Sequence, residues 1–179
     1  MPRFAVLLRG VNVGKGNRLP MAEFKAMLEA LGHTEVKTLL NSGNAVFTSP
    51  ARSSGKLSAA IAAALAERFG VSTPVIVKSA AEFNAAVRAA PMTPPEADHS
   101  RFLVVFGPDE PALQALRPLA DLAAEGERLA ITAHAAYLHC PGGLLESRVG
   151  EALLGKAGRG LTSRNWATVL KIEALLGAA

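Results

Sequence analysis

The order of apolar segments in the first half of the chain constrains its fold more than any single motif. Apolar positions recur with the spacing of strands and helices, and clusters of glycine, proline and asparagine separate these segments. The predicted elements are a strand at 3–9, a helix at 20–31, strands at 36–40 and 45–48, a helix at 53–69 and a strand at 74–78. This β-α-β-β-α-β order predicts a ferredoxin-like unit, whose second and third strands form a hairpin through residues 41–44.

The second half of the chain repeats most of this order. Its predicted elements are a strand at 101–106, a helix opened by Asp109, strands at 128–132 and 136–139, a helix at 146–154 and a last helix at 164–176. The last helix stands where a fourth strand would complete the pattern. We therefore predict an α+β fold of two ferredoxin-like βαββα(β) subdomains in tandem, each with an antiparallel sheet and helices packed on one face.

A proline-rich stretch separates the two halves. Pro91, Pro94 and Pro95 do not suit the interior of a helix or strand, so residues 91–100 are predicted to be a linker. The predicted domains are then residues 1–90, which end in a short helix after the first sheet, and residues 101–179, which end in the last helix.

Positive charge is concentrated in two segments of the sequence. The chain has 19 Lys and Arg residues against 15 Asp and Glu residues, for a net charge of +4. Residues 1–22 and residues 152–172 each contain four basic residues and no acid, so the rest of the chain has a net charge of −4. This distribution favours a local anion site over a surface that coats nucleic acid, although a basic face could serve either.

Topology predicts that two loops of the first half lie together. In the predicted unit strands 1 and 2 run in the same direction, so the loop after strand 1 and the turn after strand 2 share one end of the sheet. Both segments supply glycine-exposed N–H groups, amides and hydroxyls, which suit an anion. Together with the second basic segment they give the predicted ligand-binding residues: Arg9, Asn12, Lys15, Arg18, Asn41, Ser42, Asn44, Arg159, Arg164 and Asn165.

The second basic segment is included because it precedes a predicted helix. Acidic residues are favoured in a first helical turn, yet residues 164–166 are Arg, Asn and Trp. A bound anion would offset this positive charge, and a contact between Arg164 and an acid such as Glu151 would do so equally well. Trp166 fits the apolar stripe of the helix and is predicted to lie in the core.

Several common site motifs are missing from the sequence. Lys15 is not followed by Ser or Thr, as a P-loop requires, and Gly14 and Gly16 lack the third glycine of a dinucleotide fingerprint. Strands 1 and 3 carry one Phe each, too few for the stacking surface of an RNA-recognition sheet. The histidines lack metal-ligand spacing, so no metal and no cofactor are predicted. Ser42 and Ser163 have no acid or histidine beside them, and no catalytic residue is assigned.

Cysteine content and hydropathy favour a cytoplasmic protein. Cys140 is the only cysteine, so no internal disulfide can form. The apolar runs are too short to span a membrane, and Arg9 and Gly10 interrupt the one near the N-terminus, so neither a membrane segment nor a signal peptide is expected. The sequence does not determine the oligomeric state.

Four short motifs together resemble one bacterial family. They are LRGVNVG at 8–14, LPM at 19–21, NSGN at 41–44 followed by VF at 46–47, and TSRNWATV at 162–169. This combination resembles the family catalogued as domain of unknown function number sixteen ninety-seven, over nearly the whole chain. The resemblance implies a small cytoplasmic bacterial protein of two α+β subdomains, and it supplies no activity and no catalytic residue. Both basic segments contain motifs of this family, which favours the prediction that the two segments form one site.

Three functions follow, and the sequence does not choose among them. The leading hypothesis is a basic pocket for a small phosphate- or carboxylate-bearing ligand, in a binding protein or an enzyme. The second is nucleic-acid binding through the same basic face, with an affinity that falls steeply as salt rises. The third is a structural or protein-interaction role, in which the Asn and Gly residues of the motifs serve only turns and caps.

Overall fold

The computed structural model describes residues 1–177, which form two compact units. The first unit contains residues 1–83 and the described residues from 172 onward, and the second contains residues 84–171. The chain therefore passes between the units within two helices, whereas the proline pattern favours a boundary at residues 91–100, which lie inside the second unit. Prolines interrupt helices and strands, but a proline-rich segment can still pack within a single compact unit.

The first unit is built around one antiparallel sheet. Its elements are β1 (Arg3–Leu8), α1 (Met21–Ala30), β2 (Thr34–Leu39), β3 (Asn44–Thr48), α2 (Ser54–Phe69) and β4 (Val75–Ser79), followed by α3 (Ala80–Arg88). The strand order is β2-β3-β1-β4. Phe4, Val6 and Leu8 of β1 join the core that α1 and α2 cover, and Ala5 and Leu7 are buried on the other face. The unbroken apolar run of β1 is thus explained by burial on both faces.

Cap residues in the sequence fix the ends of the helices in this unit. The Lys56 amide donates to the Ser53 hydroxyl (3.2 Å) at the start of α2, and Gly70 ends that helix in the left-handed conformation with φ +64°. Before α3, the Glu82 amide donates to Ser79 Oγ (3.1 Å) and the Ser79 amide donates to Glu82 Oε2 (2.7 Å). These contacts confirm the predicted start and end of α2, and the Ser79–Glu82 pair forms a capping box at the start of α3.

The second unit contains a second antiparallel sheet, with the strand order β6-β7-β5-β8. Its elements are a 3-10 helix (Glu96–Arg101), β5 (Phe102–Phe106), α4 (Glu110–Gln114), a 3-10 helix (Arg117–Leu122), β6 (Arg128–Ile131), β7 (Ala136–His139), a 3-10 helix (Leu144–Glu146), α5 (Arg148–Leu154), a 3-10 helix (Lys156–Gly158), β8 (Thr162–Asn165) and α6 (Trp166–Gly177). Leu103 and Val105 of β5 pack with Leu113 of α4 and with Val149 and Leu153 of α5. The α+β class is confirmed, with helices packed against each sheet.

The strand β8 corrects the prediction for the end of the chain. Residues 162–165 pair with β5, with Val104 opposite Arg164, and α6 begins at Trp166 and not at Arg164. The Thr168 amide donates to Asn165 Oδ1 (3.0 Å), so Asn165 caps the helix. A strand of four residues that runs directly into a helix has only two positions per face, too few for its alternation to stand out beside the helical stripe.

Candidate functional site

Asn12 organises the loop between β1 and α1. Its backbone has φ +57°, and its amide donates to the carbonyl of Asn17 (3.0 Å). Its side-chain Nδ2 donates to the carbonyls of Leu19 and Asn41, both at 2.8 Å, and its Oδ1 accepts from the Leu19 amide at 2.8 Å. Because both Nδ2 hydrogens and the side-chain oxygen are used, Asn12 is a framework residue that joins this loop to the β2–β3 turn.

The β2–β3 turn is equally constrained. Asn44 is fully buried, and its Nδ2 donates to the Leu39 carbonyl (2.8 Å) and to Ser42 Oγ (2.9 Å). Gly43 has φ +88°, and a Cβ at this position would lie 2.7 Å from Val11 Cγ2 and 2.8 Å from Leu8 Cβ. Only glycine fits this close approach. The predicted neighbourhood of the two loops is thus present, with Asn12 and Asn41 in direct contact.

Backbone strain is concentrated in the same two segments. Four non-glycine residues of the described chain have positive φ angles, and three of them, Asn12, Asn17 and Leu40, lie in the loop or beside the turn. Asn tolerates the left-handed conformation, but Leu adopts it rarely and at a cost in free energy. Such residues are often found where a backbone is shaped for binding.

An open pocket lies between these segments. Its volume is about 350 Å³, and it is lined by Asn12, Arg18, Leu19, Pro20 and Asn41. The Arg18 side chain is exposed and makes no hydrogen bond or ion pair with residues 1–177. Lys15, in the same loop, is also exposed. The structure thus places Arg18 and Asn41 around one cavity, as the topology predicts.

Arg9, at the end of β1, occupies a different environment from Arg18. It is half-buried, and its carbonyl accepts a hydrogen bond from the Thr73 hydroxyl. Burial also lowers the pKa of the Arg9 guanidinium. Its backbone therefore helps to hold the start of the loop, and its side chain is not among the residues that line the pocket.

The predicted residues of the second unit have different roles from those the sequence suggests. Arg164 is buried in β8, where Nη1 donates to Thr162 Oγ1 (2.6 Å) and to the Ser163 carbonyl (2.8 Å). Burial lowers the pKa of the Arg164 guanidinium to about 10. Asn165 caps α6, and Arg159 is exposed after a 3-10 helix. Arg164 belongs to a strand, so the prediction that it adds positive charge to a first helical turn is wrong.

The ten predicted site residues therefore fall into two groups. Seven belong to the first unit, and Arg159, Arg164 and Asn165 belong to the second. Within the first unit, Asn12, Asn41 and Arg18 share the pocket, and Ser42 and Asn44 hold the adjoining turn. That both groups meet in one site stays a prediction.

Two side-chain arrangements had no signal in the sequence. His139 Nε2 lies 3.2 Å from Asp98 Oδ2, a pair that joins β7 to the 3-10 helix after the prolines. The His33 ring stacks on Phe47 with centroids 4.3 Å apart, and its buried Nε2 has no hydrogen-bond partner within residues 1–177. Neither pair is close in sequence, so only the tertiary structure shows them.

Within residues 1–177, no three His, Cys, Asp or Glu side chains lie close enough together to hold a metal ion. In the same part of the chain, none of the helices combines the length and the apolar character needed to cross a bilayer.

Together, the sheets and the pocket define an α+β protein of two units, with a constrained, basic loop at one end of the first sheet. Residues 1–137 match the family described as "Protein of unknown function (DUF1697)", and the chain belongs to this family. The match confirms the resemblance found in the sequence. It includes the loop and turn of the pocket, whereas the motif at 162–169 lies beyond the matched residues.

A solved structure has a similar fold. The chain is similar to a conserved bacterial protein, SP0830 from Streptococcus pneumoniae, with 26% identity and a TM-score of 0.80. The similarity covers 98% of this chain and 98% of that one. No curated protein matches the sequence.

Proposed function

We propose that the pocket between the β1–α1 loop and the β2–β3 turn binds a small ligand with a phosphate or carboxylate group. The observation that carries this proposal is the position of Arg18, which lines the pocket without a protein partner in the described chain. Residues 1–22 contain no acid that could neutralise it locally. A guanidinium presents parallel N–H donors that match the oxygens of either anionic group.

The residues around the pocket divide into ligand contacts and framework. Arg18 and the side-chain amide of Asn41 are available to a ligand, and Lys15 adds positive charge to the loop. Asn12 and Asn44 hold the loop and the turn through their own hydrogen bonds. The amides of this basic loop therefore fix the backbone that presents the Arg18 guanidinium.

The N-terminus of α1 adds little to this proposal. Glu23 already lies in the first turn of α1, where an acidic side chain is favoured by the helix dipole. We therefore assign anion binding to side chains of the loop and not to the helix terminus. Replacing Glu23 with Gln removes a negative charge five positions after Arg18, and it should strengthen anion binding modestly.

A thermal-shift titration tests the proposal. The protein is titrated at low salt with inorganic phosphate, phosphorylated metabolites, carboxylates and short oligonucleotides. A ligand at 100 times its dissociation constant stabilises the folded state by about 2.7 kcal/mol, a readily measured rise in Tm. The rise should disappear in Arg18→Ala and persist in Arg52→Ala, an exposed arginine that follows β3 at the other end of the sheet.

Three outcomes would contradict the proposal. If small anions raise the Tm of wild type and Arg18→Ala equally, they bind elsewhere. If only oligonucleotides raise it, with a steep loss as salt increases, the basic loop serves nucleic-acid binding instead. No shift with any anion would favour a structural or protein-interaction role for the amides of the loop.

The finer fold assignment and the location are also proposals. We propose that each unit is ferredoxin-like, since in each sheet the first strand lies between the third and the fourth. A bacterial cytoplasmic location is proposed because Cys140 is the only cysteine, and because the similar solved protein is described as bacterial.

A further inference from the structure

The polar groups that the pocket leaves available restrict what it can bind. Asn12 lines the cavity, but its side chain is fully engaged by Leu19 and Asn41. The Asn41 carbonyl accepts from Asn12, whereas the side-chain amide of Asn41 makes no hydrogen bond within residues 1–177. The pocket therefore offers two free side chains, the guanidinium of Arg18 and the amide of Asn41.

The charge around the pocket favours a doubly charged group over a singly charged one. Among the described residues, Arg18 is the only ionisable one that lines the cavity, and Lys15 lies three positions earlier in the same acid-free segment. A phosphomonoester carries a charge of about −1.5 to −2 at pH 7, whereas a carboxylate carries about −1. Attraction to two cations therefore discriminates in favour of the phosphomonoester.

The size and walls of the cavity favour a small ligand with a neutral body. The volume of about 350 Å³ lies near the lower end of the range of about 300–1,000 Å³ for small-molecule sites. Leu19 and Pro20 line the cavity with apolar surface, and the side-chain amide of Asn41 can both donate and accept hydrogen bonds. A single sugar or ring with hydroxyl groups matches these surroundings.

We propose, building on the function proposed above, that the ligand is a small phosphomonoester. Arg18 binds the phosphate, and the side-chain amide of Asn41 binds a polar group of the neutral body. Asn41 is then a specificity-determining residue, and Arg18 supplies most of the affinity.

Calorimetric titration with four matched compounds tests this assignment: ribose 5-phosphate, ribonate, ribose and inorganic phosphate. At pH 7.5 ribose 5-phosphate should bind about 10-fold more tightly than ribonate, since it carries roughly one more charge. Ribose should show no binding. Arg18→Ala should weaken ribose 5-phosphate binding at least about 10-fold, because a charge-assisted hydrogen bond is lost.

The pH dependence gives a second readout. The second pKa of a phosphomonoester is about 6, so affinity for ribose 5-phosphate should fall about 4-fold between pH 7.5 and 5.5 if the dianion binds. Ribonate affinity should stay constant over this range, since among the described residues Arg18 is the only ionisable side chain that lines the cavity.

Asn41→Ala tests the specificity role without releasing the loop, because the Asn41 carbonyl that accepts from Asn12 is retained. This variant should weaken ribose 5-phosphate several-fold and leave inorganic phosphate unchanged, since inorganic phosphate has no body for the amide to bind. Equal loss for both compounds, or for neither, would overturn the assignment of Asn41.

The two proposals fail in different ways. If ribonate binds as tightly as ribose 5-phosphate and both depend on Arg18, the pocket binds anions but the phosphomonoester assignment is wrong. If no phosphate or carboxylate compound binds to the folded protein, both proposals are wrong. If ribose 5-phosphate binds and Arg18→Ala has no effect, the site lies elsewhere and both proposals are wrong as well.

Discussion

The two basic, acid-free segments of this chain look alike in sequence and differ in structure. Residues 1–22 end in a loop where Arg18 is exposed beside a pocket, whereas the segment 152–172 places Arg164 in a strand and buries it. Both segments contain glycine and asparagine, and Asn12 in the first and Asn165 in the second bond to backbone groups. The charge pattern of a sequence locates such segments, but the packing of the fold determines whether a cation is accessible to a ligand.

The largest expected contrast is between a turn glycine that packs against the first segment and a glycine within the second segment. Gly43→Ala should lower the free energy of unfolding by about 3–5 kcal/mol, because a Cβ would overlap Val11 and Leu8 and φ is positive. Gly160→Ala, in the second segment, meets no atom within 4 Å and should be nearly neutral. Urea unfolding measures both, and a tolerated Gly43→Ala would show that the turn is not clamped onto the loop.

The arginines provide the second contrast. Arg164→Ala should cost about 2–4 kcal/mol of stability, because it leaves a cavity and removes the donor to Thr162 and Ser163. Arg18→Ala should change stability by less than about 0.5 kcal/mol, since an exposed side chain without partners is replaced.

Arg164→Met separates packing from charge, since it fills volume without burying a cation. It should be less destabilising than Arg164→Ala. Equal unfolding midpoints for Arg164→Ala and Arg18→Ala would remove the distinction between the two segments.

Two asparagines of the loop test whether side-chain bonds or backbone conformation hold it. Asn12→Ala should lower the free energy of unfolding by about 2–3 kcal/mol, because alanine disfavours the left-handed backbone and the hydrogen bonds to Leu19 and Asn41 are lost. Asn17 also has a positive φ, but its side chain makes no hydrogen bond in the described residues, so Asn17→Ala should cost about 1 kcal/mol. Equal losses in chemical denaturation would mean that the Asn12 side chain does not tie the loop to the turn.

The smallest expected effect concerns His33, a buried titratable group of the first unit. Burial lowers its pKa from 6.5, so the unfolded chain binds its proton more readily than the folded one. The contribution of neutral His33 is complete above pH 6.5 and is lost as the pH falls toward the folded-state pKa. Glu35 and Glu82 also have lowered pKa values, but from 4.5, so their contributions are lost at more acidic pH.

Thermal unfolding between pH 7.5 and 5 measures this effect. The Tm of wild type should fall across this range, and His33→Phe, which keeps a ring against Phe47, should flatten the dependence. His134→Ala is the matched control, because His134 is exposed in the β6–β7 turn. A pH profile unchanged by His33→Phe would assign the acid sensitivity to other groups.

Much of the fold could be predicted because its signals are local. The apolar run of β1, the stripe and caps of α2, and the capping box before α3 all depend on residues within a few positions of one another. The neighbourhood of the loop and the turn followed from strand direction, and the contact between Asn12 and Asn41 agrees with it.

The candidate site was predicted less completely, for two reasons. The sequence identified Asn12 and Asn44 by their residue type, which is the same for an amide that binds a ligand and for one that fixes a turn. It placed Arg164 in a helix because β8 is too short to show its alternation next to the stripe of α6. Pairs such as Asp98 with His139 join residues 41 positions apart, beyond any local pattern.

The α+β class, most element positions and the two basic segments could be read from periodicity, capping and composition, which act over one or two turns of chain. The family resemblance came from four short motifs. The exposure of the arginines required the fold, which leaves Arg18 exposed at a pocket and buries Arg164 in a sheet. Both segments carry four basic residues, but the exposure of each one depends on the side chains that pack against it from distant parts of the chain.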